Sequence, residues 1–353
     1  MRIVTRRQGF TLIELMVAVG LLATVIAISG IIFRVSVKTY HLAQANEEVL
    51  EKFNMITSQL DADLQGLRKE GLIFIGWALS DDPNIRSDRM LFFSNQPVST
   101  FNTESSSRII EGHVARIVYC MSPSRPDGQP YATLIRSQHV LTSDPELPVP
   151  ETLNGKDWTL PETWLNNLLD PNQYDLMTLQ DWRNLPFLDK WAMLRGMLNF
   201  EINDEDTLLY SASFDPVDAR DPNDRIHLRL CDGIGEFRIE GWARDPSGTE
   251  RWIPENRDLI EPTRHVGGFS RAGFVLYPHV GDPSIASDSQ AGEVRLGGDF
   301  PEAGYDERFE MNPDSFYHIP GLGRALRFTF TLYDARGVLP NGRTFTHIVY
   351  LDR

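Results

Sequence analysis

A long apolar segment near the amino terminus constrains the fold of this chain more than any other feature. Residues 9–33 read GFTLIELMVAVGLLATVIAISGIIF, and Glu14 is the only charged residue among them. A helix needs about 20 apolar residues to cross a bilayer, and the run from Phe10 to Phe33 provides roughly 24. The segment therefore predicts a membrane-spanning helix at residues 10–33.

The residues before this segment distinguish it from a secretory signal. Such a signal has an apolar region of about 7–15 residues and ends in small residues at its cleavage site. Here the small residue, Gly9, precedes the apolar run and follows a basic leader cluster of Arg2, Arg6 and Arg7. We therefore expect cleavage on the cytoplasmic side of the span, which leaves the apolar helix on the mature protein.

The sequence from Gly9 to Leu15, GFTLIEL, resembles the processing motif of type IV pilins and of type II secretion pseudopilins. The resemblance implies that a prepilin peptidase cuts after Gly9, so that residues 1–9 form a cleaved leader. It also implies that the new amino terminus, Phe10, is N-methylated. An inner-membrane assembly platform is a further implied partner.

The acid at Glu14 is costly in an apolar segment. A carboxylate within the hydrocarbon costs about 2.5–3.5 kcal/mol even on lenient insertion scales, so such a residue usually has a partner. In the resembling families this glutamate pairs with the terminal amine of a neighbouring subunit, which makes Glu14 the expected assembly contact. The alternative is an ordinary anchor whose glutamate reaches the membrane interface, and the glycine and basic leader disfavour it.

Charge indicates the orientation in the membrane and excludes one class of partner. The basic leader cluster precedes the span, whereas Arg34 and Lys38 follow it, so the bias towards a cytoplasmic amino terminus is modest. We expect a single-pass inner-membrane protein with a periplasmic carboxyl-terminal part. A formal net charge of −15 argues against a nucleic-acid partner, because phosphate binding needs a basic surface.

The helix is predicted to continue beyond the membrane. After Phe33 the first glycine is Gly66 and the first proline is Pro83. Apolar residues in this interval recur at steps of three and four, at Val49, Phe53, Ile56, Leu60, Leu64 and Leu67. We therefore expect one helix from about Thr11 to Leu67, roughly 85 Å long, in which residues 34–70 offer one apolar stripe to a soluble domain.

After the helix the periodicity becomes that of strands. Short apolar or alternating runs occur at residues 90–93, 115–121, 131–136, 226–230, 236–242, 326–332 and 345–351. The stretch Asp232–Gly235 predicts a turn between two of these runs, and Asn341-Gly342 predicts a hairpin that joins the last two. The expected fold class is α+β and pilin-like, with the long helix packed on an antiparallel sheet.

The order of the carboxyl-terminal strands resembles that of the J-type minor pseudopilins of type II secretion. The stretches that carry this resemblance are RIHLRLCDGIGEFRIEGW, LRFTFTLYD and TFTHIVYL. It implies a structural subunit, not an enzyme, that joins the I- and K-type minor pseudopilins and the major pseudopilin in the tip of a pseudopilus. A PilW-like minor pilin of a type IV pilus has nearly the same layout and stays an alternative.

Two regions depart from the family pattern. Residues 142–224 separate a first β-region at 71–141 from a second at 225–353, and contain Trp158, Trp164, Trp182 and Trp191. This composition favours the core of a partly helical insertion, with helical turns at residues 161–165 and 188–198, over an exposed docking surface. Residues 244–317 are rich in Gly, Pro and Asp, and we expect long loops there.

The sequence offers no strong metal or catalytic motif. The acids Asp215, Asp218, Asp221 and Asp224 lack the spacing of a calcium loop, so a solvated acidic loop is favoured although some pseudopilins bind calcium. No histidine pair has the H-E-x-x-H spacing, and no nucleophile and base form a recognisable motif. We therefore expect no cofactor, and a membrane-anchored periplasmic enzyme is the least favoured function.

The two cysteines leave two alternatives open. Cys120 and Cys231 both fall in predicted strands of a domain that faces an oxidising compartment, where a disulfide can form. Free cysteine is also among the most buried residue types. The sequence favours neither alternative.

Overall fold

A computed structural model describes much of the chain. The described residues are 11–68, 73–78, 86–100, 109–122, 131–143, 173–185, 200–202, 208–210, 226–244, 250–253, 272–277, 293–296, 317–320 and 325–351. Gly9, Phe10 and the basic leader cluster lie outside them, as do the four aspartates at 215–224. The predicted helical turns at 161–165 and 188–198 also lie outside the described residues.

Helix α1, Leu12–Gln65, is a single helix of 54 residues. It begins with a capping box, in which the Thr11 hydroxyl accepts from the Glu14 backbone N–H and the Glu14 carboxylate accepts from the Thr11 backbone N–H. It ends at Gly66, where a Cβ atom would lie only 2.6 Å from the Asn95 carbonyl oxygen. The prediction of one continuous helix is confirmed, with an end two residues before the predicted Leu67.

The rest of the described chain is mostly strands. In chain order they are β1 Ile73–Ala78, β2 Arg89–Ser99, β3 Glu111–Met121, β4 Ala132–Leu141, β5 Tyr174–Asp175, β6 Phe200–Ile202, β7 Leu208–Tyr210, β8 Arg229–Arg244, β9 Glu250–Ile253, β10 Ala272–Tyr277, β11 Glu293–Leu296, β12 Tyr317–Pro320, β13 Ala325–Leu332 and β14 Arg343–Tyr350. A short helix, α2 Leu179–Asn184, lies between β5 and β6. The α+β fold class is therefore confirmed.

Twelve of the strands form one sheet. Its order is β12-β11-β10-β1-β2-β3-β4-β8-β13-β14, with β5 added to β4 and β9 added to β8. The pairs are antiparallel except β4 with β5. Because β4 pairs directly with β8, the two predicted β-regions contribute to the same sheet. Strands β6 and β7 form a separate two-stranded hairpin.

The main core lies between α1 and one face of the sheet. Val49, Ile56 and Leu60 of α1 are fully buried, as the apolar stripe predicts. The ring of Phe53 stacks on Phe345 of β14, with 4.8 Å between ring centroids. The sheet contributes buried residues from its central strands, among them Phe92, Leu134, Phe237 and Phe328. The carboxyl-terminal half of α1 is thus part of the domain core.

Residues 173–185 of the insertion pack on the other face of the sheet. Ser94 of β2 points towards α1, because its Oγ donates to the Asp63 carbonyl at 2.7 Å. Since side chains alternate along a strand, the neighbouring Phe93 points to the opposite face of the sheet. Trp182 of α2 is fully buried, and its ring lies 5.1 Å from that of Phe93. Trp182 is therefore a core residue, as the composition of the insertion predicted. It packs against the sheet, however, whereas we expected a core within the insertion itself. The other three tryptophans of the insertion lie outside the described residues.

Three local predictions are wrong. The stretch Asp232–Gly235 is part of the continuous strand β8, and Gly233, with φ of +86°, is skipped in the pairing with β4. Residues 226–228, predicted as strand, form a 3₁₀ turn. The region 244–317, expected to be loops, supplies β9 to β11 and the first residue of β12.

The cysteines are free thiols in the structure. Both are buried, and strand β4 separates β3, which carries Cys120, from β8, which carries Cys231. Cys120 pairs with Ile135 and Cys231 with Leu134, which are consecutive residues and point to opposite faces. Burial raises the pKa of Cys120 to about 11 and that of Cys231 to about 12. Of the two alternatives, a disulfide or two buried free cysteines, the structure corresponds to the second.

Candidate functional site

The amino-terminal half of α1 is exposed along its whole length. Every residue from Thr11 to Leu42 is exposed, and most of the first two dozen are large and apolar. Within the described residues, α1 is the one helix that is long and apolar enough to cross a membrane. An apolar surface of this extent needs lipid or another apolar helix to cover it.

The acid within this surface has a local partner. The Thr11 backbone N–H donates to Glu14 Oε2 at 2.9 Å, and the Thr11 hydroxyl lies 3.0 Å from the same oxygen. In return the Glu14 backbone N–H donates to Thr11 Oγ1 at 3.3 Å. Oε1 of Glu14 accepts no hydrogen bond from a described residue, so it is available to a second donor. A negative charge at a helix amino terminus is also favourable to the helix dipole.

The carboxyl-terminal half of α1 is fixed to the sheet by a buried carboxylate. Asp63 is fully buried, and Arg136 of β4 donates to it from Nε at 2.6 Å and from Nη2 at 2.7 Å. The Tyr119 hydroxyl donates to Asp63 Oδ2 at 2.5 Å, and Gln59 and Gln96 each donate to Oδ1 at 3.1 Å. These donors offset the cost of burying an acid near a helix carboxyl terminus.

The Asp63 network has a clear electrostatic signature. Burial and the adjacent Asp63 charge raise the pKa of Tyr119 well above its usual range. Tyr119 therefore stays protonated and acts as a hydrogen-bond donor at physiological pH. Sequence reasoning missed this network, although Asp63 lies on the buried stripe between Leu60 and Leu64 and so signalled a paired charge.

The loop between β13 and β14 forms hydrogen bonds with α1 at the point where the exposed half ends. Arg336 Nη1 donates to Gln44 Oε1 at 2.6 Å, and the Ala335 backbone N–H donates to Glu48 Oε1 at 2.9 Å. One turn further along α1, Lys52 Nζ donates to the Tyr333 carbonyl at 2.8 Å. We call these three contacts the loop clasp. They join α1 to the carboxyl-terminal hairpin just beyond the exposed segment.

The loop itself is held by one carboxylate. Asp334 accepts from the backbone N–H groups of Arg336, Val338 and Leu339 at 2.8–3.2 Å. Burial alone would raise the pKa of Asp334, but these hydrogen bonds outweigh it and lower the pKa. The loop therefore has a fixed shape in which to present Ala335 and Arg336 to α1.

Buried ion pairs also hold the second face of the sheet. Arg116 of β3 donates from Nε to Asp175 of β5 at 2.6 Å, and His139 Nδ1 lies 3.2 Å from the same carboxylate. Burial disfavours the charged carboxyl, but Arg116 and His139 more than compensate and lower the pKa of Asp175. This cluster ties the insertion to β3 and β4, which is a structural role.

A second buried pair lies beside β8. Arg86 and Asp88 are both fully buried and hydrogen-bonded to each other, and Asp88 Oδ2 also accepts from the Ile239 backbone N–H at 2.7 Å. Burial raises the pKa of Asp88 to about 6, an effect that Arg86 only partly opposes. Across the described residues, no group of three or more His, Cys, Asp or Glu side chains is placed to hold a metal ion.

Comparison with known families agrees with this geometry. Residues 4–30 match the family model described as the prokaryotic N-terminal methylation motif. The match supports the type IV pilin-like class, and the long helix on an antiparallel sheet is consistent with a pilin-like fold. Comparisons with curated proteins and with solved structures found no match.

The matched segment contains the residues that the sequence singled out. Gly9, Phe10 and Glu14 all fall within it, as do Arg6 and Arg7 of the basic leader cluster. The apolar helix and the motif together support membrane anchoring and a structural subunit of the pilin-like class. Cleavage after Gly9, methylation of Phe10 and pairing of Glu14 stay predictions.

Proposed function

We propose that this chain is a J-type minor pseudopilin, a structural subunit in the tip of a type II secretion pseudopilus that supports protein export. The observation that carries the proposal is the division of α1 into an exposed apolar half that bears the methylation motif and a half docked on a large domain. Such a helix can pack among other helices while it holds its domain at a fixed position.

Glu14 has the central role in the proposed assembly. After cleavage, the new amine of Phe10 adjoins Thr11, whose donors already occupy Glu14 Oε2. Oε1 then accepts from the terminal amine of a neighbouring subunit, and the low dielectric of the surroundings strengthens that attraction. The capping box thus lowers the cost of keeping the acid in the membrane before a neighbour arrives.

The partners follow from the resemblance of the strand pattern. They are the I- and K-type minor pseudopilins, the major pseudopilin, the prepilin peptidase and the inner-membrane assembly platform. The chain spans the inner membrane once, with a cytoplasmic amino terminus and a periplasmic domain, and the proposal includes no cofactor. A PilW-like minor pilin of a type IV pilus is the second candidate, because the same helix and motif serve both assemblies.

The proposal is tested by copurification from membranes. Glu14→Ala removes the proposed ion pair, and breaking a buried pair costs about 3–5 kcal/mol, so recovery of leader-bearing partner subunits should fall by more than tenfold. Glu14→Gln keeps an oxygen that can accept from Thr11 but loses the charge. It should therefore lower the recovery of partner subunits to a similar extent. Mass spectrometry of the recovered subunits then separates a pseudopilus from a pilus.

Processing supplies the control for this experiment. Gly9→Val should block the peptidase and leave residues 1–9 attached, whereas both Glu14 variants should insert in the membrane and begin at Phe10 as the parent does. Recovery of partner subunits with Glu14→Ala at the parent level would contradict the pairing mechanism. An intact mass that shows Gly9→Val beginning at Phe10 would contradict the cleavage site.

A further inference from the structure

Strand β14 forms one edge of the sheet. In the sheet order it stands last, and in the described part of the chain its strand partner is β13 alone. The pairing runs in continuous register from Arg343 opposite Leu332 to Tyr350 opposite Ala325. An edge strand of this kind presents a row of backbone N–H and C=O groups that another strand can pair with.

Most of the usual protections of an edge strand are missing from β14, in which the one arginine, Arg343, lies at the first position. Its sequence, RTFTHIVY, contains no lysine, proline or glycine, and its pairing with β13 has no bulge. On the face away from α1, Ile348 is 39% exposed and Tyr350 is 64% exposed. Proteins normally blunt exposed edges with charges, prolines or bulges, because a regular edge rich in β-branched and aromatic residues pairs readily.

The edge lies beside the helix that the proposed function assigns to assembly. Phe345 of β14 stacks on Phe53 of α1, and His347 Nε2 lies 2.8 Å from Asp61 Oδ1. Leu50, which neighbours Phe53 on the helix surface, is exposed. A subunit whose helix packs beside this side of α1 therefore brings its own domain alongside β14.

We propose that β14 accepts an edge strand of a different pilin-class subunit, which extends the sheet across the boundary between the two subunits. This inference rests on the proposed function, since the neighbour is brought to β14 by helix packing. Main-chain hydrogen bonds supply the affinity, and side chains opposite Ile348 and Tyr350 supply the specificity.

Charge favours a different subunit over a second copy of this chain. Strand β14 carries Arg343 and no acid, so two copies of β14 paired in parallel register would place one arginine opposite the other. Each copy also has a formal net charge of −15, which opposes close approach of two identical domains. The fitting partner strand has an acid near Arg343 and apolar or aromatic residues near Ile348 and Tyr350.

Photo-cross-linking in membranes of the full-length chain tests the proposal. A benzophenone amino acid replaces Tyr350, and the same probe at Val25 on the exposed half of α1 reports helix packing. Ile109, 54% exposed, is the control position, because it precedes β3 and is separated from β14 by β4, β8 and β13. We expect the Tyr350 probe to label a strand of another leader-bearing subunit and the Ile109 probe to label none.

A matched pair of lysine substitutions tests the edge itself. Ile348→Lys places a charge on the exposed face of β14, whereas Ile109→Lys makes the same change at another exposed isoleucine. Ile348→Lys should reduce the Tyr350 adduct at least tenfold, and Ile109→Lys should leave it unchanged. Urea unfolding should show the same midpoint for both variants, because neither side chain is part of the core.

The outcomes separate this inference from the proposed function. An adduct from Val25 without one from Tyr350 would leave helix assembly standing and overturn the strand addition. Labelling from Tyr350 that maps to a second copy of this chain, or to lipid alone, would also overturn it. If neither probe labels a subunit, both proposals are contradicted.

Discussion

The two halves of α1 have the same secondary structure and opposite surroundings. From Thr11 to Leu42 every residue of the helix is exposed, and up to Phe33 nearly all of these residues are apolar or small, whereas from Ala45 to Leu64 one stripe is buried against the sheet. The first half has the composition of a membrane span, and the second has that of a surface helix of a soluble domain. One continuous helix thus combines a segment suited to lipid with a segment suited to a soluble domain.

The difference shows how the chain can combine packing freedom with rigid placement. In the part of the chain that the structure describes, the first half is exposed throughout, and the hydrogen bonds of its capping box lie within the helix terminus itself. The second half has a buried carboxylate with five donor contacts and the loop clasp. Because the helix is continuous, a force on the first half reaches the domain through Asp63 and the apolar stripe.

The largest effect on domain stability is expected from a substitution that breaks the buried ion pair in the second half of α1. Arg136→Met removes both guanidinium donors from Asp63, whose carboxylate stays fully buried. Breaking a buried ion pair costs about 3–5 kcal/mol, so the free energy of unfolding of the domain should fall by that amount. Urea denaturation of the full-length chain in detergent, followed by tryptophan fluorescence, measures the change.

A double variant provides the control for that prediction. Asp63→Leu with Arg136→Met removes both charges and should recover much of the lost stability, since an apolar pair of similar volume is often tolerated. Membrane insertion should be unaffected in both variants, because the first half of α1 is unchanged. A loss below about 1 kcal/mol in Arg136→Met would mean that the pair does not anchor the helix.

The next largest effect is expected from a leucine-to-alanine substitution in the second half of α1, with the same substitution in the first half for comparison. Leu60→Ala empties a fully buried position and should cost about 2–4 kcal/mol of domain stability. Leu22→Ala makes the same change at an exposed position in the first half and should leave the urea midpoint within experimental scatter. Equal losses in the two variants would contradict the division of α1 into two environments.

Long-range periodicity made the helix and the terminal hairpin predictable. The absence of glycine and proline between Phe33 and Gly66 predicted one uninterrupted helix, and α1 ends at Gln65. Alternation in the last two runs predicted β13 and β14, which pair residue by residue. In both elements the local preference and the tertiary contacts agree, so the sequence pattern was sufficient.

Where the same residues serve two purposes, the sequence was misleading. Gly233 and Gly235 have the composition of a turn, but both are skipped in strand pairing and allow β8 to bend between β4 and β13. The strands from 250 to 320 are short, and β10 joins the sheet by pairing with β1, which is remote in sequence, so local composition does not reveal them. Within the candidate site, the motif that contains Glu14 was recognisable from the sequence, whereas the donors to Asp63 from Tyr119 and Arg136 come from strands remote in sequence.

The smallest effect is expected at the boundary between the halves, and it locates that boundary. Gln44→Ala removes the contact with Arg336, an exposed part of the loop clasp, so the free energy of unfolding should fall by about 0.5–1 kcal/mol. Glu47→Ala, at an exposed position three residues later, is the control and should change it by less than about 0.5 kcal/mol. The difference is small because the Glu48 and Lys52 contacts persist. A loss above about 2 kcal/mol would mean that the clasp, more than the buried stripe, holds α1 to the domain.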